Sequence, residues 1–295
     1  MRPGREIRPL IFGEVLFDHF PDGSSVLGGA PFNVAWHLQA FGLAPLFVSR
    51  VGTDAEGGEI RAAMQAWGMD LGGLQSDPEH ATGSVEVSLS EGEPHYDIVY
   101  PRAYDFIDAD ELPDLPEHGI LYHGSLALRH EVSARALSEI RRRTSAPRFV
   151  DINLRAPWWD AAGVQRMLYS ARWIKLNSDE LALVAPDAGD EAARLQCLLT
   201  DGTDFVVLTR GSEGASVITA DSRQDVQPTS ELDVVDVVGA GDAFCSVLLA
   251  GMVRQWPLPV TLARAQRFAS AIVGIRGATT RDGDFYRRVT DAWND

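Results

Sequence analysis

Short apolar runs alternate along the chain with longer stretches whose apolar positions recur every three or four residues. The short runs predict β-strands and the longer stretches predict amphipathic helices. Strands are expected at LIFGEVLF, PLFVSRVG, GILYHG, RFVDINL, ARWIKLN, DFVVLTR and ELDVVDV. Helices are expected at FNVAWHLQAFG (closed by Gly42), AEGGEIRAAMQAWG, EVSARALSEIRRR, DEAARLQCLLT and PLPVTLARAQRFASAIVGI. This alternation predicts an α/β fold, a mostly parallel sheet with helices on both faces, and a ligand site beyond the carboxyl ends of the strands.

Two segments break this rhythm. Residues 18–29 are rich in turn-forming residues, and residues 82–100 alternate with period two around EGEP. The second pattern predicts a β-hairpin. Inside an α/β chain, such a hairpin indicates a small β flap over one end of the sheet. A peripheral hairpin without a function is the alternative interpretation.

Composition and charge narrow the class of protein. The chain has 295 residues, 45% of them hydrophobic and 23% charged, which fits one large α/β domain or one domain with a smaller appendage. The net charge of -16 makes nucleic acid and anionic membranes unfavourable partners. An anionic substrate would therefore need a cation or backbone dipoles to reverse the local field.

The cysteines and the amino terminus indicate a cytoplasmic protein. Cys197 and Cys245 lie in apolar helical patterns, so we expect two small buried side chains and no disulfide. The amino-terminal segment has no long apolar region, and we expect no signal peptide. The longest apolar run, AFCSVLLAGMV, is shorter than the ~20 residues of a membrane span.

The stretch DVVGAGDAF is the most informative motif, because a predicted strand turns there into an apolar helix. Gly239 and Gly241 leave backbone N–H groups free to point into one concavity, and the start of a helix adds its positive end. Asp242 is then either a helix cap or a catalytic base. A dinucleotide site is excluded because Phe244 replaces the third glycine and no strand follows. A Walker loop is excluded because Lys175, the single lysine, adjoins no glycine-rich turn.

Two motifs at opposite ends of the chain, GGAPFNVAWHLQAFG and DVVGAGDAFCSVLLAG, resemble the ribokinase-like, PfkB-type carbohydrate kinases. The resemblance covers nearly the whole chain. It implies a single α/β kinase domain over residues 1–295, folded as a ribokinase-like three-layer sandwich. It also implies a small β-sheet lid built from approximately residues 15–30 and 82–104. The expected reaction transfers the γ-phosphoryl group of ATP to a sugar hydroxyl, with Mg²⁺.

The resemblance assigns the chemistry to the glycine-rich motif and to an arginine. Asp242 would be the general base that takes the proton of the attacking sugar hydroxyl. The N–H groups of Gly239, Ala240 and Gly241 would hold the transferring phosphoryl, and Arg155 would bind near the substrate and phosphate. This division suits phosphoryl transfer, where positioning and charge stabilisation dominate. A surface salt bridge is the alternative role of Arg155.

The resemblance also implies the binding residues. Sugar hydroxyls would be bound by Asp18, Gly28, Gly29, Asn33 and Arg155, although Asp18 could be a turn residue and Asn33 a helix-start residue. The nucleotide and its metal would lie beside Asn177, Glu180, Thr209, Gly211, Gly214, Gly239 and Gly241. Glu180 would hold Mg²⁺ through water, or else act only on its helix dipole. Asp236 would help hold a monovalent cation, K⁺.

The chain departs from the family pattern at positions that affect which nucleotide is preferred, and not at the positions expected to carry out phosphoryl transfer. Val237 and Val238 replace residues that are often threonine. The middle of the chain, with HGSLALR and VDINLRAPWW, resembles the fructokinase-like branch, so fructose is the expected sugar. Another small sugar, such as 2-keto-3-deoxygluconate or ribose, and a non-catalytic sugar-binding protein are the alternatives. Exposed Val85, Val87 and Tyr96 on the hairpin would allow a homodimer through the lid.

Overall fold

The computed structural model describes residues 7–90, 93–228 and 234–293. In these ranges the strands are β1 Arg8–Phe12, β2 Leu16–His19, β3 Ser25–Gly28, β4 Leu46–Gly52, β5 Leu74–Asp77, β6 Gly83–Ser90, β7 Glu93–Ile98, β8 Gly119–His123, β9 Arg148–Asp151, β10 Trp173–Asn177, β11 Phe205–Thr209, β12 Ala215–Ile218 and β13 Arg223–Val226. The helices are α1 Ala30–Ala40, α2 Ala55–Ala66, α3 Glu131–Arg143, α4 Ala161–Tyr169, α5 Ser178–Val184, α6 Glu191–Leu198, α7 Ala240–Arg254, α8 Leu258–Val273 and α9 Gly283–Asp291.

The central sheet has nine strands in the order β13-β12-β11-β10-β9-β8-β1-β4-β5. The strands from β11 to β5 are parallel, and β12 and β13 extend one edge in antiparallel pairs. Alternate side chains enter cores on opposite faces, since Ile11 packs into one cluster while Leu10 and Phe12 pack into another. The predicted α/β fold with a mostly parallel sheet between two helical layers is therefore confirmed.

A second sheet of four strands lies apart from the first, in the order β3-β2-β6-β7. The predicted hairpin is present, because β6 and β7 pair antiparallel with Val85 opposite Ile98 and Val87 opposite Tyr96. Its turn residues 91–92 lie outside the described ranges. Strand β2 pairs parallel with β6. The sheet thus joins residues 18–29 and 82–100, the two segments that interrupt the alternation of strands and helices.

The single strand predicted at LIFGEVLF is wrong. Strand β1 belongs to the central sheet and β2 to the small sheet, so the chain changes sheets between them. Gly13 lies at the break with a φ of 152°, and a Cβ added there would lie 2.4 Å from Cγ of Pro31. The close approach of α1 therefore requires glycine at this position.

The strand predicted at ELDVVDV is also wrong for its described part, which starts at Val234. Val235 and Asp236 donate their N–H groups to the carbonyl of Val273, at the end of α8, and form no strand ladder. The side chains of Val234, Val235 and Val237 are exposed. The chain therefore enters α7 from a loop docked on a helix end.

Three burial predictions need correction. Cys245 is buried as expected, but Cys197 is exposed, because it lies on the solvent face of α6. Val85 and Val87 are buried, since their side chains face inward from the hairpin, whereas Tyr96 is half exposed. The expected lid dimer therefore loses two of its three apolar residues. In the described ranges, no helix has the length and apolar character needed to cross a membrane.

Candidate active site

The two motifs from opposite ends of the chain meet at the start of α7. Asn33 in α1 donates from Nδ2 to Oδ2 of Asp242 over 2.8 Å, although 209 positions separate them. Burial raises the pKa of Asp242 to about 6, while the hydrogen bond from Asn33 lowers it. A carboxyl with this pKa is ionised at neutral pH and can still accept a proton.

The helix start is built for a close backbone approach. Gly239 is the N-cap of α7, in a left-handed conformation with a φ of 79°. A Cβ added there would lie 2.3 Å from Cβ of Ala278, so only glycine fits. Asp242 is in the first turn, and its one hydrogen bond in the described structure comes from Asn33. Asp242 is therefore not the cap of this helix, and its carboxylate is free to face a ligand.

Asp18 and the paired glycines lie where the small sheet meets α1. Asp18 is on β2, opposite Val26 of β3. A Cβ added to Gly28 would lie 3.6 Å from Oδ2 of Asp18, so the carboxylate lies against the glycine backbone. Burial raises the pKa of Asp18 to about 6, whereas His19 and Arg155 lower it. Arg155 also lowers the pKa of Asp242, so its positive charge acts on both carboxylates.

Arg155 itself extends from the loop after β9. Its side chain is exposed, and Nη1 donates to the carbonyl of Leu154 over 3.2 Å. In the described structure it forms no salt bridge, so the surface salt bridge considered above is not present. The guanidinium retains donors for an anionic or hydroxylic ligand.

Asn177 and Glu180 form a capping box at the start of α5. Oδ1 of Asn177 accepts from the N–H of Glu180, and Oε2 of Glu180 accepts from the N–H of Asn177, both over 2.8 Å. The other oxygen, Oε1, accepts from the N–H of Leu154 over 2.8 Å. Burial and Asp151 raise the pKa of Glu180. This carboxylate thus ties the loop of Arg155 to the end of β10.

The residues expected beside the nucleotide follow neighbouring strands. Thr209 ends β11 and lies opposite Asn177 in the sheet. Gly214 has a φ of 87°, and a Cβ added there would lie 2.0 Å from the carbonyl of Val226. Gly211 has a φ of 54° and open space around it. These glycines shape a bare backbone turn beyond the carboxyl end of β11.

Asp236 links two loops beside the start of α7. Its Oδ1 accepts from the N–H of Val238, and its Oδ2 accepts from the N–H of Gly277, both over 3.0 Å. Each oxygen retains a lone pair. In the described ranges, no group of three or more His, Cys, Asp or Glu side chains is arranged to hold a metal ion.

A buried ion pair beneath the glycine motif was not predicted. Nζ of Lys175 donates to both oxygens of Asp151, over 3.0 and 3.2 Å. Asp151 also accepts from Sγ of Cys245 over 3.2 Å and from the hydroxyl of Tyr122 over 3.3 Å. A Cβ added to Gly241 would lie 3.2 Å from Nζ of Lys175, so the ammonium lies directly below the motif.

Lys175 is protonated at neutral pH. Burial is the largest single effect and lowers the pKa of Lys175, but Asp151, Cys245 and Glu180 together outweigh it and hold the pKa well above its ordinary value. The signal in the sequence was a single lysine inside an otherwise apolar strand. Its role could not be assigned, because the partner carboxylate lies on another strand.

The fold and the site together define a class of protein. Beyond the carboxyl ends of parallel strands, a helix start with a glycine turn carries a carboxylate of raised pKa and lies on a buried ammonium, and the loop after β9 adds a guanidinium. This arrangement is that of an enzyme that transfers an anionic group to a hydroxylated acceptor. The pattern of the pfkB family carbohydrate kinases matches residues 11–282. The chain belongs to this family, and is a phosphotransferase that acts on a sugar hydroxyl.

Similar proteins include kinases with different acceptors. The chain is 31% identical to a fructokinase of Klebsiella pneumoniae, over 92% of this chain and 94% of that one. It is 29% identical to an aminoimidazole riboside kinase of Salmonella typhimurium, over 86% and 83%. The structure of a fructokinase from Vibrio cholerae with fructose, ADP and calcium ion is 26% identical, with a TM-score of 0.80, and covers 96% and 98%.

Proposed function

We propose that this protein is an ATP-dependent fructokinase in which Asp242 is the general base. The observation that carries the proposal is the hydrogen bond from Asn33 to Asp242, because it unites the amino-terminal sugar motif with the glycine motif. Asp242 takes the proton of the attacking hydroxyl, and its pKa of about 6 suits a base that works near neutral pH.

The positive groups around Asp242 divide the remaining work. The N–H groups of Gly239, Ala240 and Gly241 and the positive end of α7 hold the transferring phosphoryl, and for this the N–H of Ala240 leaves its long hydrogen bond of 3.4 Å to the carbonyl of Val237. Lys175 adds a fixed charge below Gly241. Arg155 binds the sugar or the phosphate from the open side. These local charges offset a net charge of -16, since distant carboxylates are screened over ~8 Å at physiological salt.

The cation sites follow from the donors that are present. Mg²⁺ prefers oxygen ligands and keeps several waters, so Glu180, whose oxygens each accept a single hydrogen bond, fits a water-mediated role. When bound with ATP, the ion neutralises phosphate charge. Asp236, with one lone pair free on each oxygen, fits K⁺ beside backbone carbonyls. Asn177, Thr209, Gly211 and Gly214 form the nucleotide side.

The sugar side consists of Asp18, Gly28, Gly29, Asn33 and Arg155, with the four-stranded sheet as a lid that excludes water. Fructose is favoured by the fructokinases among the similar proteins and by fructose in the Vibrio cholerae structure. A riboside is the second candidate, because an aminoimidazole riboside kinase is nearly as similar. One pocket contact can change the preferred sugar, so the acceptor requires a direct measurement.

The experiment is ADP release from ATP and Mg²⁺ with fructose, ribose, 2-keto-3-deoxygluconate and aminoimidazole riboside as separate acceptors. The expected result is turnover that is fastest with fructose and that Asp242→Asn reduces by ~10²–10⁴-fold. Glu59→Gln, an acid-to-amide change on the exposed face of α2, is the matched control and keeps full activity. Equal rates for wild type and Asp242→Asn would refute the assignment of the base. A faster acceptor than fructose would refute the sugar.

A further inference from the structure

Glu14 is a buried carboxyl that no part of the mechanism above uses. It lies on the connection between β1 and β2, and only 3% of its surface is exposed. Gly29, a residue of the sugar side, crosses so close that an added Cβ would lie 2.8 Å from the carbonyl of Glu14. Its carboxyl also interacts electrostatically with Arg155 and Asp242. Glu14 therefore lies against the cleft where the acceptor binds.

One oxygen of this carboxyl, Oε2, has no hydrogen-bond partner in the described structure. The same holds for Oδ1 of Asn33, a residue whose N–H donates to the carbonyl of the same Gly29 over 2.8 Å. Buried polar atoms in folded proteins are nearly always paired. Unpaired oxygens on two residues that both contact Gly29 therefore indicate a place that a polar ligand completes.

Arg129 acts on Glu14 through its charge and forms no salt bridge with it in the described residues. Its guanidinium donates to Asp105 over 2.7 and 2.9 Å and to the carbonyl of Val99 over 2.8 Å. It also packs over the rings of Tyr100, Tyr104 and Trp158, at 5.0, 5.0 and 4.5 Å from their centroids. These contacts fix the guanidinium, so its positive charge stays within electrostatic range of Glu14.

Burial leaves the ionised form of the Glu14 carboxyl only partly compensated. Burial raises the pKa of Glu14 to about 7, whereas Arg155 and Arg129 lower it and Asp242 raises it further. The two arginines thus offset the desolvation of the carboxyl only in part. A hydroxyl that donates to Oε2 would stabilise the ionised form.

We propose that Glu14 is a further sugar-binding residue, whose free oxygen accepts a hydrogen bond from a sugar hydroxyl other than the one that is phosphorylated. The acceptor class is then a neutral polyol at this position, because an anionic substituent would face a buried carboxylate. This inference rests on the proposed sugar kinase function and deepens it.

The test pairs substrate analogues with variants of Glu14. Fructose and its monodeoxy analogues, each with one hydroxyl replaced by hydrogen, are compared through kcat/KM in wild type and in Glu14→Met. Loss of one particular hydroxyl is expected to cost wild type about 10–100-fold, because the carboxylate is left unpaired. In Glu14→Met the same analogue is expected to lose less than about threefold against fructose. Equal losses in both proteins for every analogue would overturn the proposal.

Two further variants keep the test decisive. Glu14→Gln retains the shape and an accepting oxygen, and if Glu14→Met does not fold, the same comparison is made with Glu14→Gln. A penalty at least about fivefold smaller than in wild type is then expected at the same hydroxyl, because the acceptor has lost its charge. An unchanged penalty would overturn the proposal. Glu59→Gln should reproduce the wild-type pattern, whereas Asp18→Asn should change the penalty at a different hydroxyl.

The two possible failures are distinct. If wild type turns over no sugar, the proposed function fails, and the role of Glu14 fails with it. If wild type turns over fructose but the analogue penalties ignore Glu14, only the present inference fails. A sugar-binding role also predicts that Glu14→Gln raises KM for fructose more than KM for ATP. A purely structural role would change both constants together.

Discussion

The substitution Gly239→Ala tests whether the start of α7 depends on a bare backbone. Gly239 has a φ of 79°, and the added Cβ would lie 2.3 Å from Cβ and 2.5 Å from Cα of Ala278. A non-glycine residue in the left-handed region costs about 1–2 kcal/mol. The overlap adds about 1–3 kcal/mol, because the backbone of one of the two loops must move. We expect the free energy of unfolding to fall by about 2–5 kcal/mol.

The catalytic effect should exceed the effect on stability. If the loop moves by about 1 Å, the N–H groups that we propose to hold the phosphoryl are displaced, and kcat/KM is expected to fall by about 10²-fold. Two matched controls separate the causes. Gly23→Ala carries a similar φ of 82° but meets nothing within 4 Å, and Gly58→Ala in α2 has neither problem. Gly23→Ala should cost about 1–2 kcal/mol and Gly58→Ala should stabilise by about 0.5–1 kcal/mol.

Urea unfolding and sugar-dependent ADP release measure the two effects. If Gly239→Ala is no less stable than Gly23→Ala and retains wild-type kcat/KM, the contact with Ala278 does not shape the site and the reasoning is refuted. A loss of stability without a loss of activity would show that the strain is absorbed away from the motif.

Three further predictions follow from the buried charges. Lys175→Met should lower the free energy of unfolding, measured in urea, by about 3–5 kcal/mol, because Asp151 is left buried without its cation. The double variant with Asp151→Asn should recover part of this loss. Equal stability of the single and the double variant would contradict the ion pair. Folding raises the pKa of Asp242 to about 6, so the ionisation of Asp242 opposes folding above that pH. Asp242→Asn should therefore raise Tm relative to wild type more at pH 8 than at pH 4. A difference in Tm that does not depend on pH would contradict this. In wild type, kcat/KM should fall at least tenfold for each pH unit well below 6, because Asp242 and Asp18 both become protonated; a flat pH–rate profile would exclude the base.

The sequence predicts those parts of the fold that are decided locally. Helices α1 and α3 are found as expected, because their apolar periodicity and end residues lie within the segment itself. The change of sheet at Gly13 could not be predicted, because an unbroken apolar run is compatible with one strand or two. ELDVVDV has the composition of a strand, but no neighbouring strand pairs with its described part, and strand pairing is a property of the whole fold.

The same distinction applies to the site. Asp242 and Asn33 could be found because their motifs retain the spacing of the family, and the structure brings them into contact. Glu14 and the pair of Lys175 with Asp151 could not be found, because their importance depends on burial and on partners from distant strands. Val85 and Val87 show the opposite error, since period-two alternation does not say which face of a hairpin is covered.

The carboxylate of Glu180 has a consequence for how the two substrates communicate. Its two oxygens join the backbone of Leu154, which precedes the guanidinium on the acceptor side, to Asn177 on the donor side. The loop after β9 and the end of β10 are therefore held together by one carboxylate. If these two sides bind the sugar and the nucleotide as proposed, the distance between the substrates is set by the protein before either of them binds.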